Sequence, residues 1–289
     1  MSKTRLPTQM SRSMAISFAR EVMQTGKLPP MPDTFIPGGK WEKSYWKFQE
    51  FLNDGIPRWT IFPKGNSKLP FHHFGTMMIL TCPGAGTGPE GCVNWCYTLK
   101  SIRYPETFFR LLQNTILIMR QDQAILDAWM KLPGNSTVRL YVDGDFDSLD
   151  TLIFFMDACK LRGDLTVYGY SKSWNLFLEY DQKFGNWPTN YFLNLSSGSI
   201  YGEAMKQRML KLPICRGEFV ALPTPEPMPL KDHDPISWAR WAKALKEIGK
   251  QYGYAKSFVC PGRCGTCTPN GHACGSPQFQ DIPVLIGIH

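Results

Sequence analysis

The sequence predicts an α/β protein built on a partial (β/α)6 barrel or a strongly curved parallel sheet. Strand-like apolar runs alternate with helix-periodic runs between residues 70 and 259, the succession that parallel sheets with helical crossovers require. A length of 289 residues with 43% hydrophobic content also supplies enough apolar surface for one substantial core. Residues 1–69 read as an N-terminal helical arm, and residues 260–289 as a cysteine-rich metal-binding segment.

In chain order, SMAISFAREVMQTG reads as a helix, and the prolines and glycines of LPPMPDTFIPGG break the periodicity after it. WEKSYWKFQEFLNDG is a second helix whose aromatics suit a core or a substrate groove. Strands are expected at 75–81, 138–142, 165–170, 191–195, 217–221 and 255–259. Between them, ETFFRLLQNTILIMRQDQAILDAWMKLPG, SLDTLIFFMDACKLRG, WNLFLEYDQKFG, YGEAMKQRMLKL and PISWARWAKALKEIGK read as helices. In such folds ligands meet the carboxyl ends of the strands, so the loops after the first two strands are expected to share one site.

Lys and Arg total 32 against 24 Asp and Glu, a net charge of +8 that would favour a phosphate-rich partner without naming one. No apolar run reaches the roughly 18 residues of a spanning helix, and the opening MSKTRLPTQMSRSM lacks a signal-peptide core. A cytoplasmic protein with no membrane partner is expected. Walker and GxSxG patterns are absent, which disfavours those nucleotide and acyl-transfer classes.

Seven of the nine cysteines fall into two groups, and in an intracellular setting such groups suggest metal ligands over disulfides. Cys260, Cys264, Cys267 and Cys274 lie within CPGRCGTCTPNGHAC, where Pro and Gly let the chain wrap a small object. Four thiolates hold either a tetrahedral zinc or a [4Fe-4S] cluster, and spacing leaves both open. Cys82, Cys92 and Cys96 lie within CPGAGTGPEGCVNWCY, with Cys92 and Cys96 at helical spacing. Three thiols leave a fourth position for a substrate or cofactor, or for closure by Cys215, His72, His73 or a carboxylate. His72 and His73, being adjacent, cannot face the same way on a strand.

LYVDGDFDSLD sets Asp143, Asp145, Asp147 and Asp150 between a strand and a helix. Asp147 or Ser148 suits the helix cap, and Asp150 the positive helix end. Asp143 and Asp145 flank Gly144 and are the candidate catalytic carboxylates, able to face an ammonium or a cation. At the next strand end, GYSKSW offers Tyr170 and Lys172 as joint pocket residues and Ser171 as a cofactor contact. The basic residues Arg240, Lys243, Lys246 and Lys250 suit a solvated helix face or a nucleic-acid contact.

Taken in order, CPGAGTGPEGCVNWCY, VRLYVDGDFDS, LTVYGYSKSW and FVCPGRCGTCTPNGHACG resemble the phage and mobile-element family called gene product eighty-eight, over approximately residues 70–275. The same order resembles, more distantly, radical S-adenosylmethionine enzymes, in which a three-cysteine loop follows one strand and a glycine-acidic motif follows the next. That second resemblance implies an open-iron [4Fe-4S] cluster on Cys82, Cys92 and Cys96, with Gly144 and Asp145 near the amino group of S-adenosylmethionine. The first group departs from that family's pattern, having nine then three intervening residues where the family has three then two. CPGRCGTC has the three-then-two spacing but follows the barrel strands and gains Cys274, which implies a closed auxiliary or structural cluster.

The expected function is therefore that of an iron-sulfur protein with two [4Fe-4S] clusters, acting as a divergent radical enzyme on an unknown small-molecule or macromolecular substrate and drawing on a reductant. Two alternatives stand beside it. One is an interaction protein of a phage or plasmid, held by structural metal such as zinc at the C-terminal site and able to bind nucleic acid. The other is a non-radical iron-sulfur redox or sensing protein.

Overall fold

The computed structural model describes residues 9–66, 68–89, 91–229, 234–265, 267–268 and 272–288. The first eight residues of the expected N-terminal arm, and residues 266 and 269–271 of the cysteine-rich segment, lie outside the described residues.

The chain opens with two helices, α1 (Arg12–Thr25) and α2 (Lys40–Asp54), each closed by a glycine in the left-handed conformation, Gly26 and Gly55. Ser11 caps α1 by accepting from the Met14 amide. Phe18 of α1 and Trp41, Tyr45 and Phe48 of α2 are buried; Phe18, Trp41 and Phe48 meet Phe108 or Phe109 in edge-to-face and tilted pairs, and Tyr45 meets Phe18. The arm is thereby joined to the main hydrophobic core.

Next come β1 (His72–His73), the four-residue α3 (Cys92–Trp95), a 3-10 segment Tyr97–Arg103, α4 (Pro105–Met119) and α5 (Gln123–Met130). The long helical run expected here is two helices, because Asp122 turns extended and caps α5 through the Ala124 amide. Then β2 (Thr137–Leu140), α6 (Leu149–Leu161), β3 (Thr166–Ser171), α7 (Trp174–Lys183), β4 (Tyr191–Ser196), α8 (Glu203–Met209) and β5 (Cys215–Pro223) follow in strict alternation. The chain ends with α9 (Pro235–Gln251), β6 (Phe258–Val259) and β7 (Val284–Ile288).

All pairings are parallel, in the order β1-β2-β3-β4-β5-β7-β6. This sheet with flanking helices is consistent with a partial (β/α) barrel. The expected strand at 75–81 is corrected to β1. Backbone pairing persists a little beyond it, through the Phe74 amide to the Arg139 carbonyl and the Thr76 amide to the Asp143 carbonyl, both 3.0 Å. The chain then turns at Ile79, whose φ is 71°. Met77 and Met78 are buried within the main core, and the Met77 amide bonds the Thr115 hydroxyl of α4 at 2.8 Å, so the apolar run reflects burial without a ladder. The seventh strand, β7, lies between β5 and β6, with Val284 paired to both Phe219 and Phe258. The last residues of the 260–289 segment thus belong to the sheet.

Alternation gives the two sheet faces different roles. Val138, Leu140, Val167, Tyr191, Leu193 and Leu195 join the main core with α4, α6 and α7, and Val220, Leu222 and Leu285 pack on Trp241 and Leu245 of α9. The opposite face carries Tyr168, Tyr170, Phe192 and Phe219, and it is covered by the cysteine-rich segment. No helix among the described residues is long and apolar enough to cross a membrane.

Candidate functional site

The first cysteine group sits at the carboxyl edge of the sheet because its loop is fastened to two strand ends. Gly86 and Cys92 donate their amides to the Gly198 carbonyl beyond β4, at 2.8 and 3.2 Å, and Ile200 donates to Gly84 at 3.0 Å. The glycines are needed for this closeness. A Cβ on Gly84 would stand 1.8 Å from the Lys172 carbonyl oxygen, and one on Gly198 would stand 2.8 Å from the Cys92 nitrogen. Arg12 of α1 reaches the Val93 carbonyl at 3.1 Å, so the N-terminal arm braces the same loop.

Cys92 begins α3 and Cys96 ends it, and the Cys92 thiol bonds the Cys96 sulfur. That bond drives Cys92 up and Cys96 down, and the Thr98 hydroxyl, 3.2 Å from the Cys96 sulfur, also lowers Cys96. Burial pushes Cys82 up to about 12. The charges of Asp145, Lys172 and Cys96 also act on Cys82, and those of Lys172, Cys96 and Cys82 act on Cys92. The three thiols therefore share one electrostatic neighbourhood with Lys172. The ammonium of Lys172 donates to the Ser196 hydroxyl at 2.7 Å and lies 5.9 Å from the Trp95 ring.

The acidic loop closes the site from beneath. Gly144, at φ 76°, admits no side chain, since a Cβ would meet the Thr76 and Thr81 hydroxyls at 2.0 and 2.7 Å. Asp145 is buried and engaged at both oxygens, by the Phe146 amide at 2.8 Å and the Lys172 amide at 2.7 Å. It ties the loop after β2 to the end of β3. Asp143 is buried beside Ser101, whose hydroxyl donates at 3.3 Å, and burial raises its carboxyl to about 6 against the opposing pull of Arg110. Ser148 caps α6 through a capping box with Thr151, while Asp147 accepts from the Thr151 hydroxyl at 2.9 Å. Ser171 is buried, and its hydroxyl accepts the Ser173 amide at 3.0 Å.

Tyr170 and Lys172 go to different places. β3 stops at Ser171, so Lys172 bends toward the first thiols, while the Tyr170 hydroxyl bonds the Cys274 sulfur on the inner face. There Cys260, Cys264, Cys267 and Cys274 form the second group: Cys274, Cys264 and Cys267 act electrostatically on Cys260, Cys264 and Cys267 on Cys274, and Cys264 on Cys267. The Gly262 amide donates to the Cys260 sulfur and the Ala273 amide to the Cys267 sulfur, both at 3.4 Å. Such bonds favour thiolates and tune sulfur-bound metal groups.

Three anchors hold this segment down, none of them suggested by cysteine spacing. His272 stacks between Phe71 and Tyr168, each centroid 4.8 Å away. Asn194 of β4 donates to the Cys274 carbonyl at 2.9 Å. Arg216, 1% exposed, donates to the Asn194 side-chain oxygen at 2.7 Å and to the Phe279 and Ile282 carbonyls at 2.8 and 3.0 Å. A register shift between Leu193 and Asn194, with Gly217 at φ 133°, brings Arg216 inward at this point.

The remaining thiols and histidines lie elsewhere. Cys159 and Cys215 are buried in the main core, Cys215 at the start of β5. His72 meets the Phe62 carbonyl at 3.0 Å and His73 faces Arg110 at 3.4 Å. Among the described residues, no three His, Cys, Asp or Glu side chains close on one point tightly enough to hold a single metal ion. Soft sulfur donors are what a thiolate-bound group would need, with the Gly262 and Ala273 amides aimed at two of them and Lys172 beside the first three.

No curated protein matches the chain, and no solved structure matches it. One family model, described as Gene product 88, matches residues 43–276 and so spans most of α2, both cysteine groups and all the strands but β7. The chain belongs to the gene product 88 family.

Proposed function

We propose that this protein is a two-centre iron-sulfur enzyme of the radical S-adenosylmethionine type, acting on a small-molecule or macromolecular substrate. The observation that carries the reading is the meeting of Cys82, Cys92 and Cys96 at the carboxyl edge of a parallel sheet, beside a second, four-thiol group on the inner face. A [4Fe-4S] cluster on the first three thiols would supply one-electron reduction at an iron left open to S-adenosylmethionine.

The chain's own residues do the rest. Cys92 and Cys96 stand side by side on one short helical turn, their sulfurs within hydrogen-bond reach of each other. Lys172 sets a positive charge beside the anionic sulfurs, and Asp145 fixes the loops carrying both. Asp145, the carboxylate that the second resemblance favours for the ammonium, accepts one amide at each oxygen, while Asp143 lies under the charges of Arg110 and Arg139. The inner-face group, with four thiols and no vacant fourth place, suits a closed cluster. A phage or mobile-element setting is consistent with the family.

The test is electron paramagnetic resonance of anaerobically purified, reduced protein with and without S-adenosylmethionine. Cofactor addition should change the signal of one cluster and leave the other as it was. Identical spectra would remove the open-iron reading and leave a redox or sensing protein.

The exposed Arg240, Lys243, Lys246 and Lys250 of α9, with Glu247 among them, favour a second reading as a zinc-stabilised protein that binds nucleic acid. Zinc in place of iron in the purified protein would select it.

A further inference from the structure

Between the two cysteine groups, the sheet carries positive charge without a matching partner. Arg139 of β2 is half-buried, and Tyr97, Tyr170, Tyr168 and Cys264 act electrostatically on it. Its guanidinium lies 4.5 Å from the Tyr170 ring, and its Nη2 donates to the Tyr97 hydroxyl at 3.2 Å. Its buried Nε–H has no acceptor. Arg110 of α4 is half-buried and meets His73 Nε2 at 3.4 Å. Neither arginine forms an ion pair within 4.0 Å among the described residues.

Asp143 is the carboxylate that feels both arginines. Two guanidiniums face this one carboxylate, and Cys264 is the thiol that also acts on Arg139. His73 adds none, since burial, then Arg110 and Arg139, push its imidazole down to about 4. Enclosed cations are strongly disfavoured unless paired, and a guanidinium fork matches the two oxygens of a carboxylate or a phosphate. Tyr97, 55% exposed, marks a way in from solvent.

We propose that Arg139 and Arg110 form an oxyanion site on the inner side of the sheet, which takes the carboxylate or phosphate group of a small-molecule ligand. The site stands apart from the identity of whatever the cysteines hold. Its ligand would lie between the two thiol groups, with Tyr170 beneath the guanidinium and Tyr97 at the entrance.

Thermal unfolding of the anaerobically purified protein, metal content intact, tests this with inorganic phosphate, acetate and chloride at equal ionic strength and about 10 mM anion, where general salt exclusion is small. Phosphate or acetate should raise the wild-type melting temperature by about 2–4 °C over chloride, and the responding anion tells which group the site takes. Arg139→Met should abolish the rise, and Arg139→Lys, which keeps the charge without the fork, should reduce it. Should Arg139→Met fail to fold, Arg110→Gln reads the same site from its other arginine. Equal melting in all three salts, or a response that survives in these variants, overturns the proposal.

Discussion

Replacing Arg216 with methionine is expected to destabilise the protein by about 3–5 kcal/mol, lowering the melting temperature by roughly 10 °C. Methionine keeps much of the volume and removes every donor. The side-chain oxygen of Asn194 and the Ile282 carbonyl would lose their partner, each at a cost of about 1–3 kcal/mol, and the Phe279 carbonyl would keep only the Ile282 amide. The effect should spread, because Asn194 also holds the Cys274 carbonyl and Arg216 fixes the loop that leads into β7. Arg216→Lys should recover only part of the loss, since one ammonium cannot span three acceptors set around a planar fork. A melting temperature within about 2 °C of wild type would show that the cysteine segment is held by other means.

The second large effect concerns the cysteine groups as separate centres. Cys96→Ser should lower anaerobic iron and acid-labile sulfide from about eight to about four per chain, since one [4Fe-4S] cluster carries four of each. The fold should persist, because α3 is short and its loop is fastened by backbone bonds to Gly198 and Gly84 that do not involve sulfur. Cys264→Ser should also remove about four irons and cost stability too, because its segment covers Tyr168, Tyr170, Phe192 and Phe219. Circular-dichroism melting beside iron analysis separates the two outcomes. Loss of all iron from either variant would mean that the thiols serve a single shared centre.

Much of the scaffold was legible because β2 to β5 alternate with helices that keep their period, and each strand is a short apolar run bounded by turn residues. FGTMMIL misled for a physical reason. Its methionines are buried against helices, and a run buried in that way has the composition of a buried strand without its hydrogen bonds. β7 was hidden because the crossover before it is the cysteine-rich segment, which breaks the β–α rhythm.

In the site, cysteine spacing showed the two groups but could not show that one lies at the strand ends and the other under the inner face. Alternation grouped Tyr170 with Lys172, yet β3 ends at Ser171 and sends them to different centres. Arg110, Arg139 and Arg216 left no motif. A single arginine in a strand or helix reads as solvated surface, and only the three-dimensional arrangement shows Arg139 beside Tyr170 and Arg216 under the C-terminal loop. Gly144 was legible as a tight turn, but the hydroxyls of Thr76 and Thr81 that forbid a side chain there come from another segment.

If the seven clustered thiols hold two iron-sulfur centres, the wild-type chain purified without oxygen should contain about eight irons and about eight acid-labile sulfides with zinc near zero, as elemental and sulfide analysis would read. Protein that folds and melts cooperatively with neither iron nor sulfide, or with one zinc in their place, would contradict the two-centre reading.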